Sequence, residues 1–119
     1  MEGKSVRLRA RAEALLWGAQ RASAAVLAVC VLVHLATILY AVRGGLTAAE
    51  ILSRTQGSFG LALFYGLFVL AVAIHAPVGL RAILRETFGW KGPALDLATA
   101  LFAAFLVWFG WRAVAGLFA

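Results

Sequence analysis

Residues 59–78 read FGLALFYGLFVLAVAIHAPV, a run with no carboxylate, lysine or arginine and one histidine, His75. As a helix rising 1.5 Å per residue, such a run spans about 30 Å, the thickness of a bilayer's hydrocarbon core. Backbone groups in that medium have no water to bond, so a single helix that pairs its own N–H and C=O groups is the economical structure. An ionisable side chain inside it is costly unless it is buried in protein, wetted or bound to something. His75 is therefore a functional candidate by default.

Two further stretches have the same character. Together they place transmembrane helices at residues 22–42, 59–80 and 94–118 of a 119-residue chain that is 64% hydrophobic and 13% charged. That composition lies far outside the soluble globular range. The expected fold class is all-α: an integral membrane protein with three transmembrane helices in an antiparallel bundle, forming one domain over residues 1–119. Nothing is left over for a soluble catalytic domain.

The 11 basic residues give a net charge of +6. Lys4, Arg7, Arg9, Arg11 and Arg21 precede or open the first helix, and Arg81, Arg85 and Lys91 lie between the second and third. Arg43, Arg54 and Arg112 lie at the other end. The positive-inside bias puts the N-terminus and the second connection in the cytoplasm and the C-terminus outside, as expected in a bacterial inner membrane. With the charges at helix ends, lipid headgroups or an acidic face of a cytoplasmic partner are the expected counterparts, and nucleic acid is not. Basic residues without an uninterrupted apolar core do not read as a cleavable signal, so the N-terminus is expected to be retained. Residues 1–20 mix arginines with apolar residues and end near Trp17, suiting a short interfacial helix at the headgroups or a basic arm docking on a soluble subunit. Cys30 is the single cysteine, which excludes a disulfide framework and a cysteine-rich metal site.

The first connection opens with Gly44 and Gly45 and closes at Gly57. Between them a short helix is expected from Thr47 to Arg54, with Thr47 as cap and Glu50 at its third position. Gly89, Gly92 and Pro93 separate the second and third long helices, and Asp96 then falls in a first turn, where the helix dipole favours an anion. Trp108, Trp111 and Arg112 form an interfacial belt at the other end.

At 100° per residue Ser23, Cys30, His34 and Thr37 share one stripe of the first helix, and His75, Gly79, Ala82 and Glu86 share one of the second. Inward histidines, glycine nearby and arginines at one end suit a membrane b-type haem: imidazole ligates iron, small residues admit the macrocycle, and arginines neutralise propionates. The plainer reading is that each histidine hydrogen-bonds across a helix interface. If Arg21 and Arg81 mark one level, His34 lies about 20 Å deep and His75 about 9 Å, so they do not ligate the same iron from one chain. A second ligand for His75 would come from another subunit or a second copy. Trp17, Arg21 and Ser23 form a polar and aromatic cluster suited to a quinone headgroup, or else a snorkelling arginine beside a tryptophan anchor. Glu86 is a proton carrier on that side or a partner of Arg85 or Lys91. No phosphate-binding loop and no nucleophilic triad is present.

Gln20-Arg21-Ala22-Ser23-Ala24 opening the first helix, and His75-x-x-x-Gly79-x-Arg81 closing the second, resemble the small cytochrome b membrane-anchor subunits of succinate dehydrogenase (succinate:quinone oxidoreductase, complex II). The resemblance spans nearly the whole chain. It implies binding to the iron-sulfur subunit of a flavoprotein complex, a share in the ubiquinone site, and His75 as one axial ligand of haem b. It places Arg21 and Ser23 at the quinone and propionate region, Arg81 near the propionates, and Glu86 where one anchor type carries aspartate. Gln20 stands where the larger anchor type commonly has histidine, Trp17 where it has a serine implicated at the quinone, and Thr87 where the smaller type has a tyrosine. In related dihaem anchors the first two helices each carry a ligand, which would give His34 a haem of its own. The implied partners are the iron-sulfur and flavoprotein subunits and a second membrane-anchor subunit or second copy; succinate oxidation would belong to the flavoprotein. The competing readings are a cofactor-free tether or assembly subunit, and a transporter subunit with His34 and His75 as proton relays.

Overall fold

The computed structural model describes residues 2–119; the first residue of the basic segment expected at 1–20 lies outside them. Four helices follow one another: α1 (Glu2–Arg43), α2 (Ala48–Thr55), α3 (Phe59–Phe88) and α4 (Pro93–Phe118). The three long helices contain the three apolar stretches, and each is long and apolar enough to cross a membrane. α3 is the middle of the arrangement. It packs along α1 on one side and α4 on the other, while α1 and α4 make little contact with each other.

The expected interfacial helix does not form as a separate element. Residues 2–20 continue into the span as the first turns of a single 42-residue helix, about 63 Å long at 1.5 Å per residue. That is twice the hydrocarbon thickness and matches the molecule's 61 Å long axis. Two causes are visible. The segment is rich in Ala, Leu and Arg, which favour a helix, and has no proline to interrupt one. Glu13 is also held by Arg85 at 3.0 Å and Arg81 at 3.2 Å, which fixes the segment along α3 instead of flat on a membrane surface. α3 likewise runs on from its apolar stretch to a left-handed Gly89 cap at φ 65°.

The connections follow the sequence closely. Thr47 caps α2, its hydroxyl accepting from the Glu50 N–H at 3.2 Å. Ser58 caps α3, accepting from the Leu61 N–H. Thr55 is buried and donates to the Leu117 carbonyl at 2.8 Å, which ties α2 to the last turn of α4. Pro93 occupies the first turn of α4 together with Asp96.

Without a hydrophobic drive between helices in lipid, close approach at small residues holds such a bundle together. The glycine that admits a neighbour is Gly110, against which the Val69 side chain packs directly; Gly79 similarly accommodates the Gln20 amide. Gly60 and Gly66 face open space. Cys30 is 2% exposed and fills the interior as a small packing residue.

Candidate functional site

At the basic end of the bundle, α1 and α3 enclose an open groove of about 490 Å³. Its walls bring together four of the side chains singled out from the sequence: Trp17 and Arg21 from α1, Arg81 and Glu86 from α3. Arg21 stacks its guanidinium over the Trp17 ring at 4.1 Å from the centroid. This cation–π contact neutralises none of its charge and leaves the side chain free to donate. Glu86 is exposed. Of the two cations expected to pair with it, Arg85 is bound to Glu13 instead, so the Glu86 carboxylate faces the groove without an ion pair among the described residues.

Ser23 is not in this groove. It is 6% exposed, and its hydroxyl donates to the Gln20 carbonyl at 3.1 Å, so its proton is used within α1. Thr37 is turned outward and donates to the His34 carbonyl at 2.6 Å.

Arg81 holds the three long helices at one point. Its Nε donates to Asp96 of α4 at 3.1 Å and its Nη2 to Glu13 of α1 at 3.2 Å. Glu13 lies outside the span. Burial pushes its pKa up, but the hydrogen bond and charge of Arg81, then those of Arg85, outweigh this and hold it below the ordinary glutamate value. Sequence reasoning passed over Glu13, although a single carboxylate between Arg11 and Arg21 asks for a cation on a neighbouring helix.

The two histidines have different surroundings. His34 Nδ1 lies 3.3 Å from the Tyr65 hydroxyl, and its ring meets Tyr65 and Phe68 edge-on at 5.7 and 5.6 Å. His75 is half-buried, and its Nδ1 is enclosed with no hydrogen-bond partner. The one other enclosed side-chain polar atom without a partner among the described residues is Gln20 Oε1, and Gln20 lies against Gly79, one turn beyond His75. Since His34 faces Tyr65, ten residues before His75 on α3, the histidines are about 15 Å apart along the bundle. The wider spacing arises because α1 sits three residues out of the register that aligned Arg21 with Arg81: Gln20 faces Gly79. The separation of the two levels, inferred from the sequence, therefore holds and is larger. No cluster of three or more His, Cys, Asp or Glu side chains able to hold a bare metal ion is present among the described residues.

The family model for the succinate dehydrogenase/fumarate reductase transmembrane subunit matches residues 3–116. Comparisons with curated proteins and with solved structures return no match. The chain belongs to this transmembrane-subunit family, and is thus an integral membrane component of a larger assembly.

Proposed function

We propose that this member of the succinate dehydrogenase/fumarate reductase transmembrane-subunit family binds one haem b through His75 and contributes to a quinone site. Electrons would pass through it from the iron-sulfur subunit to ubiquinone. The observation that carries the reading is the enclosed, partnerless nitrogen of His75 on the same stripe as Gly79. A buried polar atom left without a partner costs about 1–3 kcal/mol, and hydrocarbon offers no water to relieve it. A ligand at the imidazole gives the residue a reason to be there, and the residues present fit a haem: histidine as axial ligand, Gly79 and Ala82 as small neighbours, and Arg21 and Arg81 at the basic end for propionates.

When bound, the haem would supply a one-electron redox centre in the bilayer. The protein's own part is to hold and orient. His75 supplies the imidazole from the middle helix. Arg81, fixed by Glu13 and Asp96 at 3.2 and 3.1 Å, keeps α1 and α4 in place around α3. Arg21 over Trp17 gives the groove a donor beside an aromatic wall, suited to a quinone carbonyl, and the unpaired Glu86 gives it a group able to exchange protons with water. Ser23 supports the groove through α1 without donating into it. A further ligand to the iron would come from another membrane subunit or a second copy, because His34 lies about 15 Å away along the bundle.

His34, already bonded to Tyr65, reads as an interface residue, which favours one haem over two. The basic end faces the cytoplasm of a bacterial inner membrane, where flavoprotein and iron-sulfur subunits dock. The test is a reduced-minus-oxidised spectrum of the purified membrane complex. A low-spin b-type signal lost in His75→Ala and kept in His34→Ala is expected. Partial loss in both variants indicates two haems, and a colourless native complex leaves a cofactor-free tether.

A further inference from the structure

Because α1 and α4 barely touch, a second cleft runs between them on the opposite face of α3 from the His75 stripe. At 100° per residue Ala73, Pro77 and Arg81 lie across the helix from His75, Gly79, Ala82 and Glu86. The cleft has two continuous parts that share Ala12, Glu13, Arg81 and Asp96. Its mouth, about 560 Å³, opens at the basic end between α1 and the α3–α4 turn. Its lower part, about 530 Å³, is an apolar groove floored by small side chains, among them Ala19, Ala73, Ala100 and Ala103.

Charge in the mouth is unbalanced. Arg9, Arg81, Arg85 and Lys91 line it with only Glu13 and Asp96 opposite. Those two carboxylates are engaged by Arg81 and Arg85, and neither Arg9 nor Lys91 has an acidic partner among the described residues. Arg9 and Lys91 therefore present an uncompensated pair of cations at the rim of the cleft, beyond Arg81 on the basic side of the bundle. Below them, the groove descends from Arg81 to Ala73, eight residues and about 12 Å into the apolar zone.

We propose that this cleft binds an anionic phospholipid, its phosphate between Arg9 and Lys91 and one acyl chain in the alanine-floored groove. The two halves of the site select this ligand together. A neutral quinone has no use for the cations, and an acidic segment of a soluble partner would not follow the groove to hydrocarbon depth. Basic clefts between helices at a membrane surface suit anionic headgroups on electrostatic grounds. Bound there, the lipid would close the gap that the helices leave and stiffen α1 against α4. Arg81 borders both sites, but the phosphate contacts, Arg9 and Lys91, take no part in the haem reading, so the lipid site stands or falls separately from it.

The test uses the purified full-length chain, or its complex, in zwitterionic micelles, with lipid binding followed by native mass spectrometry. Phosphatidylglycerol is expected to bind in preference to phosphatidylcholine. Arg9→Gln and Lys91→Gln, both exposed substitutions that leave the bundle intact, are each expected to weaken it about fivefold, and the pair about 25-fold, the equivalent of about 1 kcal/mol per basic residue. Ala100→Phe, which fills the groove, is expected to weaken long-chain phosphatidylglycerol and spare the dihexanoyl form. Equal retention of the two lipids, or full retention in the double charge variant, overturns the proposal. So does inorganic phosphate that competes as strongly as the lipid, because the mouth alone then accounts for binding.

Discussion

Replacing Gly110 by alanine tests how the bundle is held together. A Cβ at Gly110 overlaps Val69 Cγ1 and lies 3.0 and 3.2 Å from its Cγ2 and Cβ. The branch is on the neighbouring residue's stiff β-carbon, so relief requires α3 and α4 to move apart. Overpacking of this kind costs about 1–3 kcal/mol, set against a gain of about 1 kcal/mol for alanine over glycine in a helix. Gly110→Ala is therefore expected to destabilise the chain by up to about 2 kcal/mol. Gly116 on the same helix has nothing within 4 Å of a built Cβ, so Gly116→Ala keeps the propensity gain alone. Val69→Ala loses two methyl groups' packing, about 1 kcal/mol in lipid, where dispersion and not transfer from water is the lost term. It also removes the obstacle, so Val69→Ala/Gly110→Ala should be no less stable than Val69→Ala, with a coupling of about 1–3 kcal/mol. The assay is equilibrium unfolding of the purified chain in mixed micelles by SDS titration, read by helix circular dichroism. Equal stabilisation by Gly110→Ala and Gly116→Ala, or additive behaviour in the cycle, would refute the close approach of α3 and α4.

Four other outcomes follow from the geometry. Tyr65→Phe removes the partner of His34 and is expected to lower bundle stability by about 0.6 kcal/mol, typical of an interhelical hydrogen bond in lipid, without altering a haem spectrum. Arg81→Gln releases α1 and α4 together and should cost more in the same unfolding assay than Arg85→Gln, which releases one contact; equal costs would show that the three-helix tie carries no weight. Glu13, whose folded pKa is depressed, contributes stability that is present above its unfolded value of about 4.3 and is lost as pH falls through its lower folded value. Glu13→Gln should flatten that acid limb of an SDS-unfolding pH series. Thr55→Val removes the bond to Leu117 and, at about 1 kcal/mol, should raise hydrogen exchange in α2 while sparing the centres of the long helices.

Much of the architecture was legible because the bilayer restricts the choices. Three apolar runs of spanning length, in a medium that forbids unpaired backbone, leave helices as the answer, and Thr47, Gly57, Gly89 and Pro93 mark the ends by local chemistry. The stripes on α1 and α3 were equally readable, since helical period follows from sequence spacing alone. The N-terminal segment misled because its composition suits both a flat interfacial helix and an extension of the span. The choice is made by Glu13 meeting Arg81 and Arg85 across 68 and 72 residues of chain.

For the site, residue types alone indicated His75, Gly79, Trp17, Arg21 and Glu86, because an ionisable group in hydrocarbon and a donor beside an aromatic ring are unusual wherever they occur. Which of them meet was a matter of tertiary register. The facing of Gln20 by Gly79 sets the level of every other pair on α1 and α3. From it follow the Tyr65 partner that satisfies His34 and the enclosure of His75 Nδ1 without a hydrogen-bond partner. Periodicity fixes the angle at which a side chain leaves its helix but not the height or identity of what stands opposite. The sequence by itself therefore determined a three-span membrane protein with a marked histidine. The tertiary structure decided which polar atoms found partners, because that depends on the sliding of one helix along another.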